Sequence, residues 1–83
     1  MGHVEPPATR TFIVHAHWDD EAAVWVAESD DVPGLATEAE TAEALIRKLE
    51  VMIPELLEAN GVGAPGPVPF RLLAERRGVA SRT

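Results

Sequence analysis

Thr11-Phe12-Ile13-Val14-His15-Ala16-His17-Trp18, then Asp19-Asp20-Glu21, then Ala22-Ala23-Val24-Trp25-Val26-Ala27-Glu28, is the stretch from which the fold is read. The first run alternates strictly. Phe12, Val14, Ala16 and Trp18 fall to one side and Thr11, Ile13, His15 and His17 to the other, the period of two that a half-buried strand requires. The last run is rich in β-branched and aromatic residues, and the polar triplet between them is turn-forming. Together they predict a hairpin. Trp18 joins the Phe12 face and Trp25 stands opposite Val24 and Val26, so core packing is expected for one or both tryptophans, an exposed one serving instead as an interface anchor.

Working outward, Ser29-Asp30-Asp31-Val32-Pro33-Gly34 predicts a second turn, with Pro presetting one corner and Gly supplying the positive φ of a type II turn at the next. Leu35 to Ala39 is long enough for a short third strand. Apolar residues at Leu45, Ile46, Leu49, Met52, Ile53, Leu56 and Leu57 recur at helical spacing. Thr41 is the expected N-cap with Glu43 in the first turn, although Thr37 with Glu40 offers a competing capping box. Asn60-Gly61 marks the stop. Pro54 lies inside this helix and predicts a bend instead of a break, because the apolar stripe continues in phase across it. After a Gly/Pro linker over 61–67, Val68 to Arg76 reads as a last strand with Val68, Phe70, Leu72 and Ala74 inward; Pro69, which cannot donate to a ladder, places it toward an edge.

The predicted fold is α+β: one small antiparallel sheet with one helix on one face, in the chain order β-β-β-α-β. A loose N-terminus over 1–9, a single domain over 10–76 and a basic tail over 77–83 are expected. The other sheet face is left partly open, so Ile13, Val24 and Val26 are candidate contacts to a second copy and a homodimer is expected.

Composition narrows the chemistry. The 83 residues allow one domain with a thin core. There is no cysteine, hence no disulfide, thiolate metal site or cysteine nucleophile. No segment approaches the ~20 apolar residues of a membrane span, and no leader is visible, so a soluble cytoplasmic protein is expected. The formal net charge of −7 is unevenly spread: Asp19 to Glu58 holds twelve acidic residues against Arg47 and Lys48, while Arg71, Arg76, Arg77 and Arg82 fall late. Such a middle repels nucleic acid phosphates and attracts a basic protein.

Candidate sites are few. His15 and His17 share a strand face at a spacing some zinc sites use, but Asp19 at the hairpin corner and His3 in the terminus make poor third ligands, so no metal or cofactor is expected. Glu28, Asp30 and Asp31 cluster at the hairpin exit, where turn chemistry accounts for Asp without any base and nucleophile converging on it. Ser29 lacks a nucleophile-elbow context, and Gly61-Val62-Gly63 follows a helix where a phosphate loop would open one. The chain is therefore expected not to be an enzyme.

The string Trp18-Asp19-Asp20-Glu21-Ala22-Ala23-Val24-Trp25-Val26-Ala27-Glu28-Ser29-Asp30-Asp31-Val32-Pro33-Gly34-Leu35, continued by Thr37 to Thr41 and Ile53 to Glu58, resembles the HicB-like antitoxin superfamily, more closely its short single-domain branch, a domain of unknown function. The resemblance spans about Thr11 to Asn60. It implies a reduced RNase-H-like fold and a domain that masks a small basic ribonuclease toxin of the HicA type, with DNA binding left to a C-terminal segment beyond this domain. Arg76, Arg77 and Arg82 do not replace that segment, so autonomous DNA binding is not carried over. An antitoxin-like interaction module would hold its basic partner through Glu28, Asp30, Asp31, Glu38 and Glu40. The alternative is a self-associating structural or small-ligand-binding domain without a toxin.

Overall fold

The computed structural model describes residues 10–62 and 66–82. Its elements follow the expected chain order: β1 (Phe12–Asp19), β2 (Val24–Glu28), β3 (Ala36–Ala39), α1 (Ala42–Ala59) and β4 (Phe70–Glu75). They form one four-stranded sheet with the spatial order β3-β2-β1-β4 and a helix on one face.

The sheet is mixed, which corrects the expected antiparallel one. β1 pairs antiparallel with β2 and β2 with β3, but β4 runs parallel to β1, with Phe12 beside Phe70 and His17 beside Glu75. Chain reversal explains it. Two hairpin reversals bring β3 back to the direction of β1, and a single helix returns the chain to the end where β3 began. β4 must then run with β1 and β3, the two strands that own the free edges, so either edge would give a parallel pair. A strand, helix and parallel strand of this kind form a crossover.

Both connections of the hairpin ladder are made by local chemistry. At the first, β1 extends through Asp19 and β2 begins only at Val24, later than Ala22. The Asp19 carboxylate accepts the amides of Glu21 (3.0 Å) and Ala22 (3.2 Å), and the Asp19 carbonyl accepts that of Ala23 (2.8 Å). Closing the turn leaves Ala23 at φ 57°, in the left-handed region. That conformation costs an L residue roughly 1–2 kcal/mol, partly offset in any glycine variant by a more disordered unfolded chain, about 0.4–1 kcal/mol. Ala23→Gly is therefore expected to stabilise the domain by roughly 0.5 kcal/mol, read as a higher urea midpoint at unchanged slope; a lower midpoint would show that the turn stores no strain.

At the second, Leu35 donates its amide to the Val32 carbonyl (3.2 Å) and Gly34 has φ 82°, the expected type II turn. A Cβ on Gly34 would meet only ordinary contact with Leu56 at 3.7 Å, so the backbone conformation, not space, demands glycine there.

The helix has the expected ends. The Thr41 hydroxyl accepts the Ala44 amide at 3.0 Å, which settles the start against Thr37, a β3 residue. At the stop, Gly61 (φ 71°) donates to the Glu58 carbonyl and Val62 to that of Leu57, the paired bonds of a Schellman motif. The helix runs unbroken through Pro54. Its buried stripe is the strict four-residue series Leu45, Leu49, Ile53 and Leu57, flanked by partly buried Met52 and Leu56; Ile46 stays exposed. These side chains meet Phe12, Val14, Ala16, Ala27, Val32, Leu35 and Ala39, all buried. Val68, Phe70 and Leu72 pack against that core, whereas Ala74 is exposed, so the last strand is inward for less of its length than its alternation indicates. Of the linker, residues 63–65 lie outside the described residues, as does the N-terminus over 1–9. Arg76 to Arg82 forms neither helix nor strand and is exposed.

Candidate interaction surface

The same alternation that buries one face of the sheet fixes what the other displays. Register places Ile13 beside Arg71; His15 between Glu28 and Leu73, with Ala36 beyond Glu28; His17 between Val26 and Glu75, with Glu38 beyond Val26; and Asp19 beside Val24. Since the helix packs on the opposite face, these residues form the one left open among the described residues. Ile13, Val24 and Val26 are half-buried there, and Leu73 is 39% exposed. Their membership of one face is the arrangement that alternation predicts. Glu28 on β2 and Glu75 on β4 flank the two histidines on β1, and Glu38 on β3 stands one strand further out.

The five carboxylates predicted to contact a partner are not gathered into one patch. Glu28 and Glu38 project from the open face on neighbouring rows, while Asp30 and Glu40 are exposed in the connections at opposite ends of β3. Asp31 faces inward to the chain itself: its carboxylate accepts the Ile13 amide at 2.8 Å and pairs with the Arg10 guanidinium at 3.2 Å. Arg10 also stacks on Phe12, 4.7 Å from the ring centre.

Ser29 completes this arrangement. Its hydroxyl donates to the Ile13 carbonyl and accepts the amides of Asp31 (3.0 Å) and Val32 (3.2 Å). The β1–β2 ladder begins at His15 and Glu28, so among the described residues Ile13 has no backbone partner on that side. Two side chains supply what a longer β2 would have supplied: Asp31 takes the amide of Ile13 and Ser29 serves its carbonyl. The local turn bonding expected of Asp is performed by Ser29 instead. Only the spacing Ser-x-Asp immediately after a strand hinted at this, and nothing in it names Ile13 as the recipient.

At the far end of the covered face, Trp18 and Trp25 meet edge to face with ring centres 5.5 Å apart, and Arg76 lies 4.3 Å above the Trp18 ring. Both tryptophans are half-buried, and Trp25 packs on the core. Thus Trp18 is closed off by a cation and does not stand free as an anchor.

No polar or charged side chain is buried among the described residues, and none of their buried polar atoms lacks a partner. Among them, too, no three His, Cys, Asp or Glu side chains are grouped as a metal site, and no helix is long and apolar enough to cross a membrane.

Fold and surface together define a small α+β domain whose sheet is shielded on one side and displays carboxylates, imidazoles and short apolar side chains on the other. The chain belongs to the family described as a domain of unknown function, DUF1902, whose model matches residues 11–81. It is similar to the crystal structure of a hypothetical protein from the extremely thermophilic bacterium Thermus thermophilus, with 65% sequence identity and a TM-score of 0.74 over 86% of this chain and 100% of that one. No curated protein matches it.

Proposed function

We propose that this chain is a non-catalytic protein-interaction module of the HicB-like, reduced RNase-H-like type, acting in the cytoplasm by masking a basic partner such as a HicA-type ribonuclease toxin. The observation that carries this reading is the uncovered sheet face, where Glu28 and Glu38 stand beside half-buried Ile13, Val24 and Val26. An interface of that make-up combines apolar contact with charge selection: the carboxylates steer a cationic surface in, and desolvation of the valines and isoleucine holds it. The concentration of acid between Asp19 and Glu58 extends the attraction beyond the contact itself.

The test is co-expression with a HicA-type toxin from the same genome and recovery of the complex. Association should weaken as salt is raised, and the double variant Glu28→Lys/Glu38→Lys should lower affinity by on the order of tenfold or more, two charges being reversed against a cationic surface. Absence of any complex at low salt would overturn this reading and favour the second one, a domain whose half-buried Ile13, Val24 and Val26 meet another copy without a toxin.

A further inference from the structure

We propose that β4 is a self-recognition edge: a second copy of this chain pairs with it antiparallel, with Leu73 on the two-fold axis, joining two four-stranded sheets into one of eight strands. The contact uses the rim of the sheet, so it stands independently of what covers the open face.

The two rims of the sheet differ. On β3, which is four residues long, the Glu38 carbonyl accepts the Lys48 ammonium. The peptides of Thr37 and Ala39 serve β2 when those of Val24, Val26 and Glu28 serve β1, so the Glu38 carbonyl is one that points to the rim. A short strand with lysine drawn over it is a blunted edge. β4 has six residues, and among the described residues no side chain is bonded to its backbone. Phe12 donates its amide to the Pro69 carbonyl at 3.0 Å. By the alternation of a parallel ladder, Arg71, Leu73 and Glu75 likewise turn their peptides toward β1, and Phe70, Leu72 and Ala74 turn theirs to the rim.

Those outward peptides select the pairing, and the side chains select its register. On the open face β4 reads Arg71, Leu73, Glu75, which is charge-complementary to itself when reversed. With Leu73 opposite Leu73 of the second copy, each Arg71 faces a Glu75, and Leu72 exchanges backbone bonds with Ala74. Moving the axis to Arg71 or Glu75 sets like charges against each other, and moving it to Leu72 or Ala74 sets a charge against Leu73. Only the Leu73 register satisfies both ends, as a two-fold interface requires. It also gives the 39% exposed Leu73 an apolar partner. In such a dimer both open faces point the same way, and Ile13, Val24 and Val26 stay uncovered.

Sedimentation equilibrium of the full chain is expected to show a dimer. Arg71→Glu or Glu75→Arg alone should raise its dissociation constant by on the order of tenfold or more, since two attractive pairs become repulsive ones, with circular dichroism confirming the fold. The double swap Arg71→Glu/Glu75→Arg should restore it. Opposed residues at a non-hydrogen-bonded antiparallel site have Cα atoms about 4.5 Å apart, within disulfide range. In a chain without cysteine, Leu73→Cys should therefore oxidise to a covalent dimer and Val26→Cys should not. A monomeric wild type, single charge reversals without effect, or cross-linking at Val26 but not at Leu73 would each overturn the proposal.

Discussion

Leu49→Ala is expected to lower the free energy of unfolding by about 2–5 kcal/mol. Leu49 is fully buried at the middle of the helical stripe, between Leu45 and Ile53, so truncation leaves a void that the sheet beneath and a helix held at both ends collapse into poorly. The consequence is severe because the domain is small. At about 0.05–0.15 kcal/mol per residue, a chain of this size has roughly 4–12 kcal/mol in all, so the variant will sit near the edge of folding. Urea unfolding followed by tryptophan fluorescence measures it. The control is Val51→Ala on the same helix, 62% exposed, which should stay within about 0.5 kcal/mol of the wild type. Equal losses at the two positions would mean that α1 is not held by its buried stripe.

Asp31→Ala is expected to cost about 1.5–3 kcal/mol, the range for a hydrogen bond to a charged group. The carboxylate is bonded to the Ile13 amide at 2.8 Å in part-buried surroundings, and its removal strands that donor where the β1–β2 ladder has not yet begun. Asp31→Asn keeps an acceptor and should lose less. Asp30→Ala, at an exposed neighbouring position, should be nearly silent. Chemical denaturation of the three variants gives the ranking, and an Asp30 loss as large as that at Asp31 would show that general acidity of the turn, not the bond to Ile13, is what matters.

Much of the fold could be read locally. The hairpin, the type II turn at Pro33-Gly34 and both helix caps depend on residues within a few positions of each other, where pattern and turn chemistry act directly. The direction of β4 could not be read that way. It follows from counting reversals along the whole chain, and the alternation of Phe70, Leu72 and Ala74 is the same in parallel and antiparallel pairs. Three- and four-residue spacings both mark a helix face and so group Ile46 with the core, yet only the strict four-residue row is fully buried and Ile46 is exposed. The surface divides similarly. Alternation alone puts Ile13, Val24, Val26 and Glu28 on one face, but the bonds from Asp31 and Ser29 to Ile13 join residues eighteen and sixteen apart, a distance no periodicity encodes.

The lysine drawn across β3 has a further bearing. Because β3 and β4 point the same way, a sheet open on both sides could accept one molecule after another in a head-to-tail ribbon, the geometry from which fibrils grow. One ammonium group laid on one carbonyl blunts that side, so under the pairing proposed for β4 growth would end once two molecules have met.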